Sequence, residues 1–344
     1  MDRYHCCIHI SLSYSACHLD WVFIGRFLER IMACKLFLRA SFLQNSRGLR
    51  TVSVIGGGLM GSGIAQVCIQ HGYAVHLVDV NTNVLSASSS SIHQSLTRVV
   101  KKKYPDDVET ATRFVDSCLS NLTTCVDLQG AVTCSDLIIE AVVEKLTVKH
   151  EVFRKLDKYA APDAILVSNT SSLSLKEIGG VLDAQRRFAG LHFFQPVPVL
   201  SLVEVIRTAH TSDATFQTLM GFAQTINKVP IACRDTPGFV VNRLLVPYLL
   251  EAMRLVDRGD STTADVDMGM KLGAGHPMGP LELSDFVGLD TIQYICDSLS
   301  ERMPNDAVFK CPSVLRKLVS QGKLGKKSGE GFYKYDAKGK VVNC

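Results

Sequence analysis

The stretch GLHFFQPVPVLSLVEVI, from Gly190 to Ile206, is mostly apolar, yet it carries two groups able to hold or pass a proton: His192 and, twelve positions later, Glu204. A charge in apolar surroundings is expensive unless it is paired, and an imidazole beside a carboxylate gives each a partner. Imidazole ordinarily titrates near neutrality, so such a pair can serve as general base in one direction and general acid in the other. Taken alone, the two residues also fit a satisfied core histidine and a solvent-facing glutamate.

A second pattern lies upstream, in TVSVIGGGLMGSGIAQVCIQHGYAVHLVDV. Thr51–Ile55 is a β-branched apolar run and predicts a buried strand. Gly56, Gly58 and Gly61 form G-x-G-x-x-G, and Ile64, Val67 and Cys68 recur at helical spacing. Asp79 ends the next strand-like run, Ala74–Asp79. In this strand–turn–helix context the motif predicts a dinucleotide site. Gly56 permits the turn, Gly58 lets the backbone approach a pyrophosphate, and Gly61 lets helix and strand pack closely. The helix N-terminus then faces the phosphates. Asp79 is suited to ribose hydroxyls and would repel a 2′-phosphate, and Val80 rather than an arginine follows it, so NAD is expected over NADP.

The elements that must hold these groups alternate. Helices are expected at 82–103 (an insertion ending in KKKY), 145–160 and 213–227. Strands are expected at 136–142, 164–168, 188–193, 202–206 and 229–232. This rhythm predicts an α/β fold, a doubly wound Rossmann-type NAD-binding domain over 51–234 with a mainly parallel sheet. From Asp235 to Cys344 the pattern turns helical: a long helix to Gly259, then helices at 263–271, 279–300 and 312–321. An all-α C-terminal domain for substrate and dimerisation is expected, its apolar faces finding an outlet in a homodimer.

The chain of 344 residues has room for about two domains. Residues 1–50 hold seven Lys or Arg against three Asp or Glu, and this surplus equals the whole net charge of +4. A neutral remainder argues against a nucleic-acid binder, and no apolar run reaches membrane-spanning length. The segment from Met32 to Arg50 is basic and acid-free, with the composition of a mitochondrial presequence. Residues 1–50 are therefore expected to be a leader, disordered or cleaved, that adds nothing to the fold. The twelve cysteines show no C-x-x-C pair, which fits reduced thiols and no metal site.

The segments VIGGGLMGSGIAQ, SNTSSL, AGLHFFQPVPV, LVEVI, DTPGFVVNRLLVPYL, KLGAGHPMGPLEL and GKKSGEGFY together resemble the 3-hydroxyacyl-CoA dehydrogenase family, its mitochondrial short-chain members above all, from about residue 51 to 336. The resemblance implies oxidation of (S)-3-hydroxyacyl-CoA to 3-oxoacyl-CoA with NAD, the third step of fatty-acid β-oxidation, in a homodimer of the mitochondrial matrix. It implies His192 and Glu204 as catalytic dyad, with Ser171 at the reacting oxygen and Asn242 near the histidine and substrate carbonyl. Cofactor contacts are implied for Gly56, Gly57, Gly58, Leu59, Met60, Gly61, Asp79, Glu144, Lys149, Ser171, Gln195 and Lys327. Coenzyme A contacts are implied for Ser95, Lys102 and Ser171. One departure stands out: the family pattern H-F-F-N-P reads H-F-F-Q-P here, placing Gln195 where relatives have asparagine. Two alternatives keep the fold, a dehydrogenase of sugar acids and a non-enzymatic lens-type structural protein.

Overall fold

A computed structural model describes residues 48–342. Most of the expected leader, 1–47, lies outside the described residues. Its last residues do not behave as expected of a leader. The backbone N–H of Arg50 donates to Asp136 Oδ2 at 2.7 Å, the Arg50 carbonyl accepts from Ala74, and Leu49 packs against the core. The fold therefore begins before Thr51, because the first strand's backbone must be paired at its entry as well as along its length.

The first domain runs β1 (Thr51–Ile55), α1 (Leu59–Gln70), β2 (Ala74–Val78), α2 (Thr82–Lys103), α3 (Val108–Ser120), β3 (Leu122–Cys125), α4 (Leu128–Thr133), β4 (Leu137–Glu140), α5 (Leu146–Tyr159), β5 (Ile165–Ser168), α6 (Leu175–Gly179), β6 (Phe188–Phe193), β7 (Leu202–Arg207), α7 (Asp213–Thr225) and β8 (Val229–Arg234). The strands form one sheet in the order β3-β2-β1-β4-β5-β6-β7-β8. Every pair is parallel except β6–β7. The helices α3, α4 and α6 and the edge strand β3 are additions to the expected pattern. β3 (LTTC) is exposed at its two central residues, so it lacks the apolar run that marks a buried strand.

Strand alternation sorts the side chains onto two cores. Val52, Val54, Leu137, Ile139, Leu191 and Phe193 join α1, α2 and α7 on one face. Ile55, Ile138, Leu166, Phe188 and Ile206 join α4, α5 and α6 on the other. His192 lies between Leu191 and Phe193, and Glu204 between Val203 and Val205, so both project from the second face.

The second domain comprises α8 (Val241–Asp257), α9 (Thr263–Gly273), α10 (Pro280–Val287), α11 (Leu289–Arg302) and α12 (Ser313–Ser320), packed around Val246, Leu250, Met253, Leu281, Ile292, Leu299 and Phe309. The single helix expected over 279–300 is two. Gly288, at φ +101°, breaks it, a conformation that side chains with a Cβ avoid. The domain is also not purely helical. Beyond α12 the chain runs through turns, a short 3-10 helix at Lys326–Ser328 and isolated bridges such as Tyr335–Val341. Buried Asp285 holds this tail by accepting from the Phe332 and Tyr333 amides, each at 2.9 Å, and from the Tyr335 hydroxyl at 3.0 Å.

Candidate active site

The turn after β1 assigns each glycine a physical role. Gly56 has φ +109°, and a Cβ there would stand 2.5 Å from the Ala141 carbonyl. A Cβ on Gly61 would stand 1.8 Å from the Gly56 carbonyl, so α1 can press on β1 only without a side chain. Gly58, by contrast, faces open space. It caps α1 with no side-chain bond, and no acidic residue occupies the first turn. Free amides and the helix dipole are thus left to an anion. Asp79 follows β2, its Oδ2 accepting from the Gly57 amide at 2.7 Å and its Oδ1 from the Asn81 amide at 3.0 Å.

Two cavities open along the carboxyl ends of the parallel strands. One, of about 500 Å³, is lined by Gly56, Gly58, Asp79, Val80, Ala141 and Val142 among others. The second, of about 400 Å³, shares Ala141 and Val142 and continues to Met60, Glu144, Asn169, Ser171, His192, Phe194, Gln195, Asn242 and Thr291. Together they form a cleft suited to an extended dinucleotide, with room where the pyrophosphate would pass Gly58. The residues present fit NAD.

The antiparallel pairing of β6 and β7 puts His192 directly opposite Glu204. Nδ1 of His192 lies 2.7 Å from Glu204 Oε2. The other glutamate oxygen accepts from the amides of Val240 and Val241, at 3.0 and 2.9 Å, at the start of α8. The first turn of α8 has no acid of its own, so Glu204 supplies the negative charge that this helix end favours. Burial alone would push the Glu204 carboxyl up, but the His192 ring and the two amides outweigh it and hold the group below its usual range. The His192 ring is packed by Phe194 and Phe239, with centroids at 4.5 and 5.7 Å. Its Nε2 has no protein partner among the described residues and is left to the cleft. Asn242 follows Val241 into the same cleft.

Ser171 is positioned by a buried charge network. Glu144 Oε1 accepts from the amides of Ser171 and Ser172 at 3.0 and 3.1 Å and from the Thr170 hydroxyl. Its Oε2 pairs with Lys149 at 3.1 Å. Lys149 also meets Glu140 Oε1 at 2.7 Å, and Ser168 donates to Glu140 Oε2 at 2.6 Å. Lys149 is only 1% exposed and does not face the cleft. It lies beneath Glu144, its charge shared by the carboxylates of Glu140 and Glu144.

Three further expectations fall away from the cleft's lining. Ser95 and Lys102 follow Ser88 at seven-residue steps on α2, and Ser88 donates to the Gly57 carbonyl. Neither lines the cavity around His192. Lys327 pairs with Asp290 at 2.7 Å, one residue from Thr291. Sequence reasoning did not single out Asn169, whose Oδ1 accepts from the Phe193 amide at 2.9 Å and ties the end of β5 to that of β6. Nor did it single out Thr291, whose only signal was its place after the Gly288 break. Lys228, buried after α7, was also missed. It donates to the carbonyls of Val197 and Leu200 at 2.6 and 2.7 Å and holds the loop that carries the chain from His192 to Glu204.

A dinucleotide cleft ending at a buried histidine–carboxylate pair defines an NAD-dependent oxidoreductase. Residues 51–236 match the family profile "3-hydroxyacyl-CoA dehydrogenase, NAD binding domain", and residues 238–335 match its "C-terminal domain". The chain belongs to the 3-hydroxyacyl-CoA dehydrogenase family. It is 52% identical over 287 residues to rat (Rattus norvegicus) hydroxyacyl-coenzyme A dehydrogenase, mitochondrial, covering 83% of this chain and 91% of that protein. It is 51% identical to the human protein of the same name, with the same coverage. Among solved structures, (S)-3-hydroxybutyryl-CoA dehydrogenase PaaH1 from Ralstonia eutropha superposes with a TM-score of 0.79 at 35% identity, covering 84% of this chain and all of that one.

Proposed function

We propose that this protein oxidises the 3-hydroxyl of an (S)-3-hydroxyacyl-CoA with His192 as general base and Glu204 as its positioning carboxylate. The observation that carries the reading is the pair itself: Nδ1 is tied to Glu204, so Nε2 is the nitrogen available to a substrate hydroxyl. NAD, when bound, supplies the hydride acceptor. His192 takes the hydroxyl proton at Nε2, and Glu204 stabilises the imidazolium, its own charge retained by two backbone amides. Ser171, held by Glu144, offers a hydroxyl to the reacting oxygen. Asn242 is suited to the thioester carbonyl. In the reductive direction the imidazolium returns its proton to the 3-keto oxygen.

Ser95 and Lys102 are assigned to coenzyme A, the lysine serving its phosphates, and Lys327 to the cofactor side of the cleft. Gln195 lines the nicotinamide end, where its added methylene sets a different reach from the asparagine of relatives. The names of the relatives favour acyl-CoA over a sugar acid and a mitochondrial address. The basic, acid-free 32–50 segment adds the matrix to that reading. Apolar side chains exposed on α8 to α10 favour a homodimer through the C-terminal domain.

NADH oxidation with acetoacetyl-CoA is the test, run beside NAD⁺ reduction with a sugar acid. Rapid turnover of the first and none of the second is expected. The reverse result would discard acyl-CoA as substrate, and silence in both would discard catalysis.

A further inference from the structure

The C-terminal domain holds a thiol pair that takes no part in the cleft. Cys296, on α11, is buried, and Cys311, just before α12, is half-buried. Their sulfurs and a carboxylate oxygen of Asp297 all lie within 4.8 Å of one another. A cation would need that carboxylate, but Arg316 already binds Asp297 Oδ1 at 2.7 Å. Cys296 Sγ is also engaged, at 2.7 Å from the Phe309 carbonyl. The neighbourhood thus suits sulfur chemistry better than metal ligation: an arginine beside two thiols, one of them reachable from solvent.

We propose that Cys311 and Cys296 are a peroxide-reactive pair that closes to a reversible disulfide, with Cys311 as attacking thiolate and Cys296 as resolving thiol. The Cys311 thiolate attacks one oxygen of hydrogen peroxide. An S–O bond forms, the O–O bond breaks, and the leaving oxygen departs as water after taking a proton. Sulfur is oxidised by two electrons and the peroxide is reduced by two. The Cys296 sulfur then displaces the hydroxyl of the sulfenic acid. The S–S bond forms, the S–O bond breaks, and the Cys296 proton leaves with the hydroxyl as a second water.

The electrostatics divide the roles in the same way. The neighbouring Cys296 sulfur lowers the Cys311 thiol most, and the Arg316 charge lowers it further against the effect of burial. The contact with Cys311, together with burial, raises Cys296. The two shifts run in opposite directions, and the thiolate is favoured on the more accessible sulfur. By contrast, burial pushes Cys68 up to about 12, where it is unreactive.

The bond would join α11 to the segment leading into α12. That segment already grips the start of α8, where Arg243 reaches Asp306 at 2.8 Å and lies over the Phe309 ring.

Limited hydrogen peroxide treatment of the full chain, followed by peptide mass mapping, tests the proposal, with exposed Cys134 as internal control. The expected product is a 296–311 cross-linked peptide two hydrogens lighter, reversed by dithiothreitol and formed before Cys134 oxidises. In Cys296→Ala, Cys311 should be trapped as a sulfenic acid that dimedone labels. Arg316 is half exposed, so Arg316→Gln should fold normally and slow the Cys311 reaction several-fold. Both cysteines remaining free thiols while Cys134 oxidises would overturn the proposal. So would a cross-link from Cys311 to some other cysteine.

Discussion

At the scale of single residues, the candidate chemistry rests on one nitrogen. With Nδ1 of His192 committed to Glu204, replacement by glutamine removes the group that takes the proton and leaves the glycine turn untouched. We expect His192→Gln to lower kcat by on the order of 10²–10⁴ with NAD⁺ affinity nearly unchanged in a fluorescence titration. Near-normal turnover would remove the histidine from the reaction. Glu204→Gln keeps a hydrogen-bond acceptor for the amides of Val240 and Val241 but loses the charge facing the ring. A large fall in kcat with preserved melting temperature is expected, and equal loss of both would make Glu204 a packing residue. Asp79 lines the first cavity and is assigned to the ribose, where it would repel a 2′-phosphate, so kcat/KM should favour NAD⁺ strongly over NADP⁺. Equal values would mean that Asp79 does not meet the ribose.

At the scale of elements, the β1–α1 turn separates folding from binding. Gly61→Ala drives a Cβ into the Gly56 carbonyl, a backbone atom that cannot swing aside, and should cost about 3 kcal/mol of stability. Gly58→Ala points its methyl into open space. It should leave the melting temperature unchanged while weakening NAD⁺ by about tenfold or more, equivalent to about 1.4 kcal/mol. Calorimetry on both variants checks the contrast, and a destabilised Gly58→Ala would contradict it. The turn holding Ser171 has a pH signature. Burial favours the neutral form of Glu144, but the Lys149 charge and the bonds from Thr170 and Ser172 prevail and hold its pKa below the usual 4.5. The native state therefore binds fewer protons than the unfolded chain as pH falls below that value. Stability from this network is complete above it and is lost as pH drops through the depressed native value. Glu144→Gln should melt lower at neutral pH and decline less steeply between roughly pH 5 and 3. An identical acid slope in both proteins would show that Glu144 carries no part of it.

At the scale of the whole molecule, three packed helices leave large apolar side chains in solvent: Leu244 on α8, Met268 and Leu272 on α9, and Phe286 on α10. Leu272 is 80% exposed. Met268 and Leu272, four residues apart, share one helix face. Sedimentation of the wild-type chain should give a dimer, and Leu272→Glu should shift it toward monomer. An unshifted distribution would place any interface elsewhere. A chain shortened to begin at Gly48 should keep its activity and melting temperature, whereas one beginning at Thr51 should melt lower, having lost Leu49 and the Arg50–Asp136 bond.

Local order was written plainly in the chain. The glycine spacing, the β-branched run before it and the acid after the next strand each follow from covalent and steric rules acting over a few residues, and seven of the eight strands were expected near their observed positions. The edge strand β3 escaped because its exposed residues form no apolar run, whereas helix α3 did carry a helical period, Ala111, Phe114, Val115, Cys118 and Leu119, that the strand–helix rhythm passed over. The Gly288 break escaped because φ is a backbone state that a run of apolar residues conceals. Proximity across the fold entered only through the family resemblance, which paired His192 with Glu204, and not through any local pattern. His192 and Glu204 are twelve residues apart, but their contact depends on β6 and β7 being the sheet's one antiparallel pair. Glu204's two amide partners arrive from a helix more than thirty residues downstream. Lys149 was expected among the cofactor contacts, and packing sets it, almost fully buried, between the carboxylates of Glu140 and Glu144. A charge's role depends on which partners surround it and how much water they exclude, and both are properties of packing rather than of sequence order.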